Sequence, residues 1–377
     1  MAPTRPNKKS KQRTEKKSVN PALLLVDATT KLQEGDLETA ATAAKKALDG
    51  TGKGGDYELA AVNLLGLISV EMGEIDDARA YFLRAVELDQ DGSIDERIGG
   101  GPEKFMWLAQ LSEEGGQDSV NWFEKGASSL RGQIQALVDL PRRNAEQETA
   151  LEERKRKLGG TLCAVAEVYM TDLSWEADAE QRCEALITEA GLVAPDSAET
   201  WQTVANVRIS QEKTDEARAA LARSLELWIE LPPLHPNVPD FPTRISLVRL
   251  LLEVEMEKEA IEVLERLVGD DDQSVEAWYL GGWAFFIVGE KAKNQEAGAT
   301  KEENEDWKTT WTTSRHWLMR CLKLYAAQEY EDERLGEHAN ELFAAINKEL
   351  GDPPAEGEDE EEGWEDADSD GDEAMEG

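Results

Sequence analysis

Residues Tyr57–Gln90, YELAAVNLLGLISVEMGEIDDARAYFLRAVELDQ, constrain the fold of this chain more than any other stretch. Apolar residues recur at helical spacing on both sides of Gly73, which predicts two amphipathic helices joined by a tight turn. Leu65 and Gly66 fall in the first helix; Ala78, Phe82 and Ala85 fall in the second. The small residues let two helices approach closely, and Phe82 fills the gap between pairs. Such a unit cannot bury its own apolar face and needs like units on either side.

This small-large-small spacing is the tetratricopeptide pattern, and related spacings recur along the chain. Asn20-Pro21 starts a helix that runs to about Glu34, Gly35 turns, and Ala40, Ala44 and Ala47 mark its partner. A third unit follows Gly99-Gly100-Gly101-Pro102, pairing EKFMWLAQLSEE with SVNWFEKGASSL, in which Ser119, Phe123 and Gly126 take the key places. Arg131–Gly160 is expected to be an insertion holding a long helix through AEQETALEERKRKL that continues toward the fourth unit. A fourth pair joins TLCAVAEVYM to AEQRCEALITEAGL through a longer turn at Asp172–Glu176. The fifth carries Trp201, Ala205, Ala217, Leu221 and Ser224. In LPPLHPNVPDFP, five prolines in eleven residues argue against helix and predict an extended strap. The sixth pair carries Leu247, Leu251, Ala260 and Leu264. The seventh carries Trp278, Gly281-Gly282 and Phe285, then a polar insertion near Glu290–Asp306, then Ser314, Leu318 and Cys321. A last helix over Glu331–Leu350 caps the stack.

The expected fold is therefore all-α: a right-handed superhelical solenoid of about seven tetratricopeptide-like helix pairs with a C-terminal capping helix. It spans residues 20–350, between a disordered basic arm (1–19) and a disordered acidic tail (351–377). The 377 residues carry a net charge of −38. The arm contributes about +6 and the tail about −14, leaving about −30 on the middle. A surface that negative attracts cations and repels nucleic acid, so direct nucleic-acid binding by the body is not expected. Within the arm, Lys8, Lys9, Lys11, Arg13, Lys16 and Lys17 are candidates for an import signal. Three Cys without ligand spacing suggest reduced thiols, the N-terminus has no apolar leader, and no run is long enough to span a membrane. Cytoplasm and nucleus are the expected locations.

No catalytic or metal motif holds together, and neither an enzyme nor a cofactor is expected. DGTGKGG resembles a phosphate loop, but Ala47 stands where the first Gly belongs and Gly54 where Ser or Thr belongs. A flexible inter-repeat loop is the better reading. Asp366, Asp368, Asp370 and Gly371 copy the start of a calcium loop that ends on Gly377 in place of the bidentate acid. His235, His316 and His338 lie far apart, and Cys163 and Cys183 read as core fillers. Ser369 is a weak candidate for acidophilic phosphorylation.

What remains is a concave binding surface lined by the first helices of the pairs. Register places Asn63, Glu71, Glu167, Glu199, Gln202, Asn206, Glu253, Glu276, Tyr279 and Trp283 on it. Asn can bond a peptide backbone, carboxylates pair with Lys or Arg, and aromatic faces take guanidinium groups. An extended cationic peptide suits this set. A cochaperone for acidic peptide tails needs cations there, and the helix with Asn63, Leu67 and Glu71 has no Lys.

Four blocks together carry a closer likeness: NPALLLVDATTKLQEGDLETA, KFMWLAQLSEEGGQDSVNWFEKG, LPPLHPNVPDFPTRISLVRLLLEV and EEEGWEDADSD. With them the chain resembles, over nearly its whole length, the fungal dedicated assembly chaperones of large-subunit ribosomal protein L-four. The resemblance implies a chaperone that binds the new ribosomal protein one-to-one as a monomer and shields its basic extended internal loop. It would keep the client soluble and escort it to the nucleus with import factors for large-subunit assembly. A tetratricopeptide scaffold, or a histone-type acidic chaperone for another basic protein, is the alternative.

Overall fold

The structure is a computed structural model that describes residues 20–295 and 306–351. The basic arm, the acidic tail beyond Gly351 and residues 296–305 lie outside the described residues. So do the import-signal candidates, the calcium-like run and Ser369. Every regular element among the described residues is helical: fifteen α-helices and one 3-10 turn, Glu96–Ile98. They group into two compact units, one reaching Trp228 and one starting at Ile229.

The first unit holds five helix pairs: α1 (Pro21–Gln33) with α2 (Leu37–Thr51), α3 (Glu58–Glu71) with α4 (Ile75–Leu88), α5 (Glu103–Gln110) with α6 (Gly116–Val138), α7 (Ala145–Met170) with α8 (Ala179–Val193), and α9 (Ala198–Ser210) with α10 (Thr214–Glu226). Local chemistry sets the ends. Asn20 caps α1 by accepting from the Ala22 amide, with Pro21 pre-setting the first turn. Asp36 caps α2 through the Thr39 amide. Gly35 and Gly73 turn the chain at φ +77° and +73°, a region costly for any residue with a Cβ. Phe82 seals the second pair: a Cβ on Gly66 would lie 2.6 Å from its ring.

The long helix expected through AEQETALEERKRKL is present and continues into the fourth unit as α7, which begins at Ala145. What is corrected is the separate insertion: α6 also runs on to Val138, so two successive helices are both lengthened around a short connection. Asn144 and Gln147 form a reciprocal capping box at that start. Arg154 donates to Gln133 at 2.7 Å, and Arg143 to the last carbonyls of α6. The Gly-rich loop after α2 is tied down, because Glu58 accepts from the Gly54 amide and is itself held by Arg84 at 3.0 Å. Those bonds hold the Glu58 carboxyl below its ordinary value, Gly54 first and Arg84 next.

The second unit comprises α11 (Phe241–Glu253) with α12 (Glu257–Asp270), α13 (Val275–Gln295) with α14 (Asp306–Ala327), and the capping helix α15 (Glu333–Leu350). The proline segment is not an extended strap. It forms consecutive turns, His235 N to Pro232 O and Val238 N to His235 O, each at 2.9 Å. The φ that proline imposes suits tight turns as well as extended chain. Pro242 sits in the first turn of α11, where its missing amide has no partner to lose. Arg266 fastens the segment by donating to the carbonyls of Ile229 and Leu231. Gly281, Gly282 and Gly289 open one face of α13 to Trp317, Leu318 and Trp311. Ser314 donates to the Gly282 carbonyl at 2.7 Å. Seven pairs and a cap thus account for the described helices.

Candidate binding grooves

In the first unit, α1, α3, α5 and residues 96–100 enclose a groove of about 560 Å³. Helix α3 is apolar all round, a pattern that normally means burial on every side. Here Leu64 and Leu67 stay partly exposed as groove lining, with Leu25, Ile98 and Trp107. Phe82 backs this floor, its ring parallel to Trp107 at 6.2 Å. Asp56, Glu96 and Glu103 add acidic groups to the lining.

The wall at residues 96–100 is held from beneath. Asp89 accepts from the Ile94 amide at 3.3 Å, the Gly101 amide at 3.1 Å and Lys104 Nζ at 2.6 Å. Lys104 also donates to the Gly101 carbonyl at 2.6 Å. Burial pulls the Lys104 pKa down, and Asp89 opposes that pull. Asn63 Nδ2 donates to the Gly99 carbonyl, while its buried Oδ1 has no partner. Gly99, at φ +85°, lies against the Ala60 backbone where a Cβ would collide. The cations here are already committed, Lys104 to Asp89 and exposed Arg97 to Asp95 at 2.9 Å. Hydrogen bonds from Arg97 hold the Asp95 carboxyl at about 2.

Of the residues assigned by register, only Asn63 lines this groove. Glu71 is exposed at the C-terminal end of α3. A second cluster forms where α9 packs on α7. Glu167 on α7 and Glu199 on α9 both press on the buried Cys163 thiol, which burial chiefly pushes up to about 11. The Glu167 side chain is exposed and has no ion-pair partner among the described residues, yet crowding by protein atoms raises its pKa. Gln202 is buried with Nε2 unpartnered, and Asn206 is half-buried beside it on α9.

In the second unit, Tyr279 and Trp283 of α13 meet His338 of α15. Tyr279 Oη lies 2.8 Å from His338 Nδ1, and the Trp283 ring stands edge-on to the imidazole at 5.8 Å. Glu276, one turn before Tyr279, is paired with Arg249 of α11. Glu253 is exposed at the end of α11.

Register reasoning missed Ile98, Trp107 and the Asp89–Lys104 pair. An α3 without a polar face and the three-glycine run were the available signals. His338 had none, since nothing in its spacing links it to Trp283.

The tetratricopeptide repeat family matches residues 26–93. A relative from Emericella nidulans, named "Probable assembly chaperone of rpl4", is 48% identical, with 100% of this chain and 99% of the relative covered. A relative of the same name from Schizosaccharomyces pombe is 33% identical, covering 90% of this chain and 95% of the relative. A solved structure of "Assembly Chaperone of RpL4 (Acl4)" matches with 61% identity and a TM-score of 0.69. That match spans 74% of this chain and 100% of the solved one.

Proposed function

Because this chain belongs to the family of assembly chaperones of rpl4, we propose that it binds newly made ribosomal protein L-four (rpl4) and keeps it soluble until assembly. The observation that carries this reading beyond the likeness is the groove of the first unit. Its floor is apolar, its lining carboxylates are Asp56, Glu96 and Glu103, the last of them paired with Lys157 at 2.7 Å, and its lining cations Lys104 and Arg97 are each paired with a carboxylate. A basic extended loop with scattered apolar residues fits such a surface, and an anionic peptide does not.

Magnitudes divide the work. An exposed ion pair at the rim contributes about 0.2–1 kcal/mol. A side chain fully buried against Leu64, Leu67 and Trp107 contributes about 1.5–3 kcal/mol. Apolar anchors therefore set how long the client stays, and acidic charge sets how fast it arrives. The Glu167–Glu199 cluster and the Tyr279–Trp283–His338 cluster are further contact points for the same cationic client. Shielding the loop in this way keeps it from RNA and other polyanions until assembly contacts compete for it, and requires no catalytic step, nucleotide or metal.

The arm with Lys8, Lys9, Lys11, Arg13, Lys16 and Lys17 would serve import factors, giving a chaperone that moves between cytoplasm and nucleus as a one-to-one complex. The deciding experiment is affinity capture of the tagged chain with its newly synthesised partners, followed by identification of the stoichiometric one. Recovery of rpl4, released by raised salt, is expected. Histones or a heat-shock chaperone in its place would overturn the proposal.

A further inference from the structure

The acidic segment that follows Gly351 has no assigned role, and the structure offers it a surface. Helix α14 buries Trp311, Ser314, Leu318 and Cys321. Its other side presents Lys308, Thr312, Arg315, Met319 and Lys323, spaced by four, three, four and four residues and so aligned in one stripe. Arg315 is half-buried and the other four are exposed. Not one of the three cations pairs with a carboxylate among the described residues. That is unusual in a chain with 79 Asp and Glu against 41 Lys and Arg.

The stripe is also where the tail begins. Arg315 Nη1 donates to the Gly351 carbonyl at 3.0 Å, fixing the last described residue beside the middle of the stripe. From Arg315 it is about 11 Å along the helix to either Lys308 or Lys323. Four extended residues cover about 13 Å, so carboxylates from Glu356 to Glu362 reach both ends. The segment 352–377 carries fourteen carboxylates and no cation. A covalent tether of this length holds them at an effective concentration of the order of millimolar.

We propose that the acidic segment after Gly351 docks on the Lys308–Arg315–Lys323 stripe of α14. Docking occupies the tail's first carboxylates. If the client is cationic, as proposed above, it competes with α14 for the tail, so client binding and tail release are linked. The docking itself stands on the stripe and does not need that client.

The test uses the full client-free chain and a zero-length carbodiimide reagent, which joins lysine amines to carboxylates in contact. At low salt, Lys308 and Lys323 should couple to carboxylates of residues 352–377. In a mixture of isotopically light and heavy protein, the links should stay within one chain. Arg315→Glu removes one attraction and adds one repulsion, and should lower both yields about tenfold with an unchanged melting curve. Should that variant melt early, Thr312→Glu tests the same stripe through an exposed residue. Yields no higher than at the exposed Lys45 and Lys46 would overturn the proposal. So would yields indifferent to both variants, or links only between heavy and light chains, which would make the occupant a second copy.

Discussion

Asp89 and Lys104 form an ion pair in which both side chains are sealed from water, at 1% and 0% exposure, with Nζ 2.6 Å from Oδ2. The pair stands under the wall of the first-unit groove and satisfies three backbone groups of residues 94–101. Removing one partner strands a buried charge. Asp89→Ala should therefore cost about 3–5 kcal/mol of stability. Urea unfolding measures this; a loss under 1 kcal/mol would mean the loop is held by something else.

Phe82 and Gly66 make a matched pair. Gly66→Ala puts a methyl group 2.6 Å from the phenyl ring and should destabilise by about 1–3 kcal/mol through overpacking. Phe82→Leu in the same chain should recover part of that loss. A double-mutant cycle with no coupling would argue against the contact.

Leu67 tests the groove. Leu67→Lys places a cation on the apolar floor at a half-buried position packed beside Phe82 and Leu108, and should weaken rpl4 binding at least about tenfold by losing an anchor and repelling a cationic client, with a melting curve to check that the fold is kept. Replacing exposed Glu71 and Glu253 together should weaken it as well, with melting unchanged. Calorimetric titration separates the two. Full affinity in the Leu67 variant would place the client outside this groove.

Acid sensitivity should trace in part to Glu184. Its hydrogen bond with Arg208 holds the carboxyl at about 2, below the ordinary 4.5. A carboxyl with a lowered folded pKa contributes fully above pH 4.5 and loses that contribution as pH falls toward 2. Urea midpoints measured across that window should fall less steeply in Glu184→Gln than in the parent. Parallel slopes would remove Glu184 from the account.

The pairing of helices was legible because it is written locally. Ala78, Phe82 and Leu264 each sit at a fixed offset from a turn, and each is buried where the repeat spacing puts it. The grooves were less legible. Counting charge along first helices pointed to Glu71 and Glu253, which lie exposed at helix ends. The first-unit groove is made by three helices and a loop whose register depends on a lysine buried fifteen residues after its aspartate. Register places Glu276 on the concave surface but carries no sign of Arg249, which holds it from another helix. The proline segment failed for a different reason: fixed φ excludes helix interiors but does not choose between a turn and an extended chain.

The lengthened helices α6 and α7 carry a bookkeeping rule for this lineage. Because they run antiparallel around one short connection, residues added to one leg must be matched on the other. Otherwise side chains such as Arg154 face empty space where Gln133 now stands. Length can therefore drift here only in balanced steps, and the connection at residues 139–144 becomes a graft point. A foreign peptide spliced there with both legs intact would ride on the protein without touching any repeat interface.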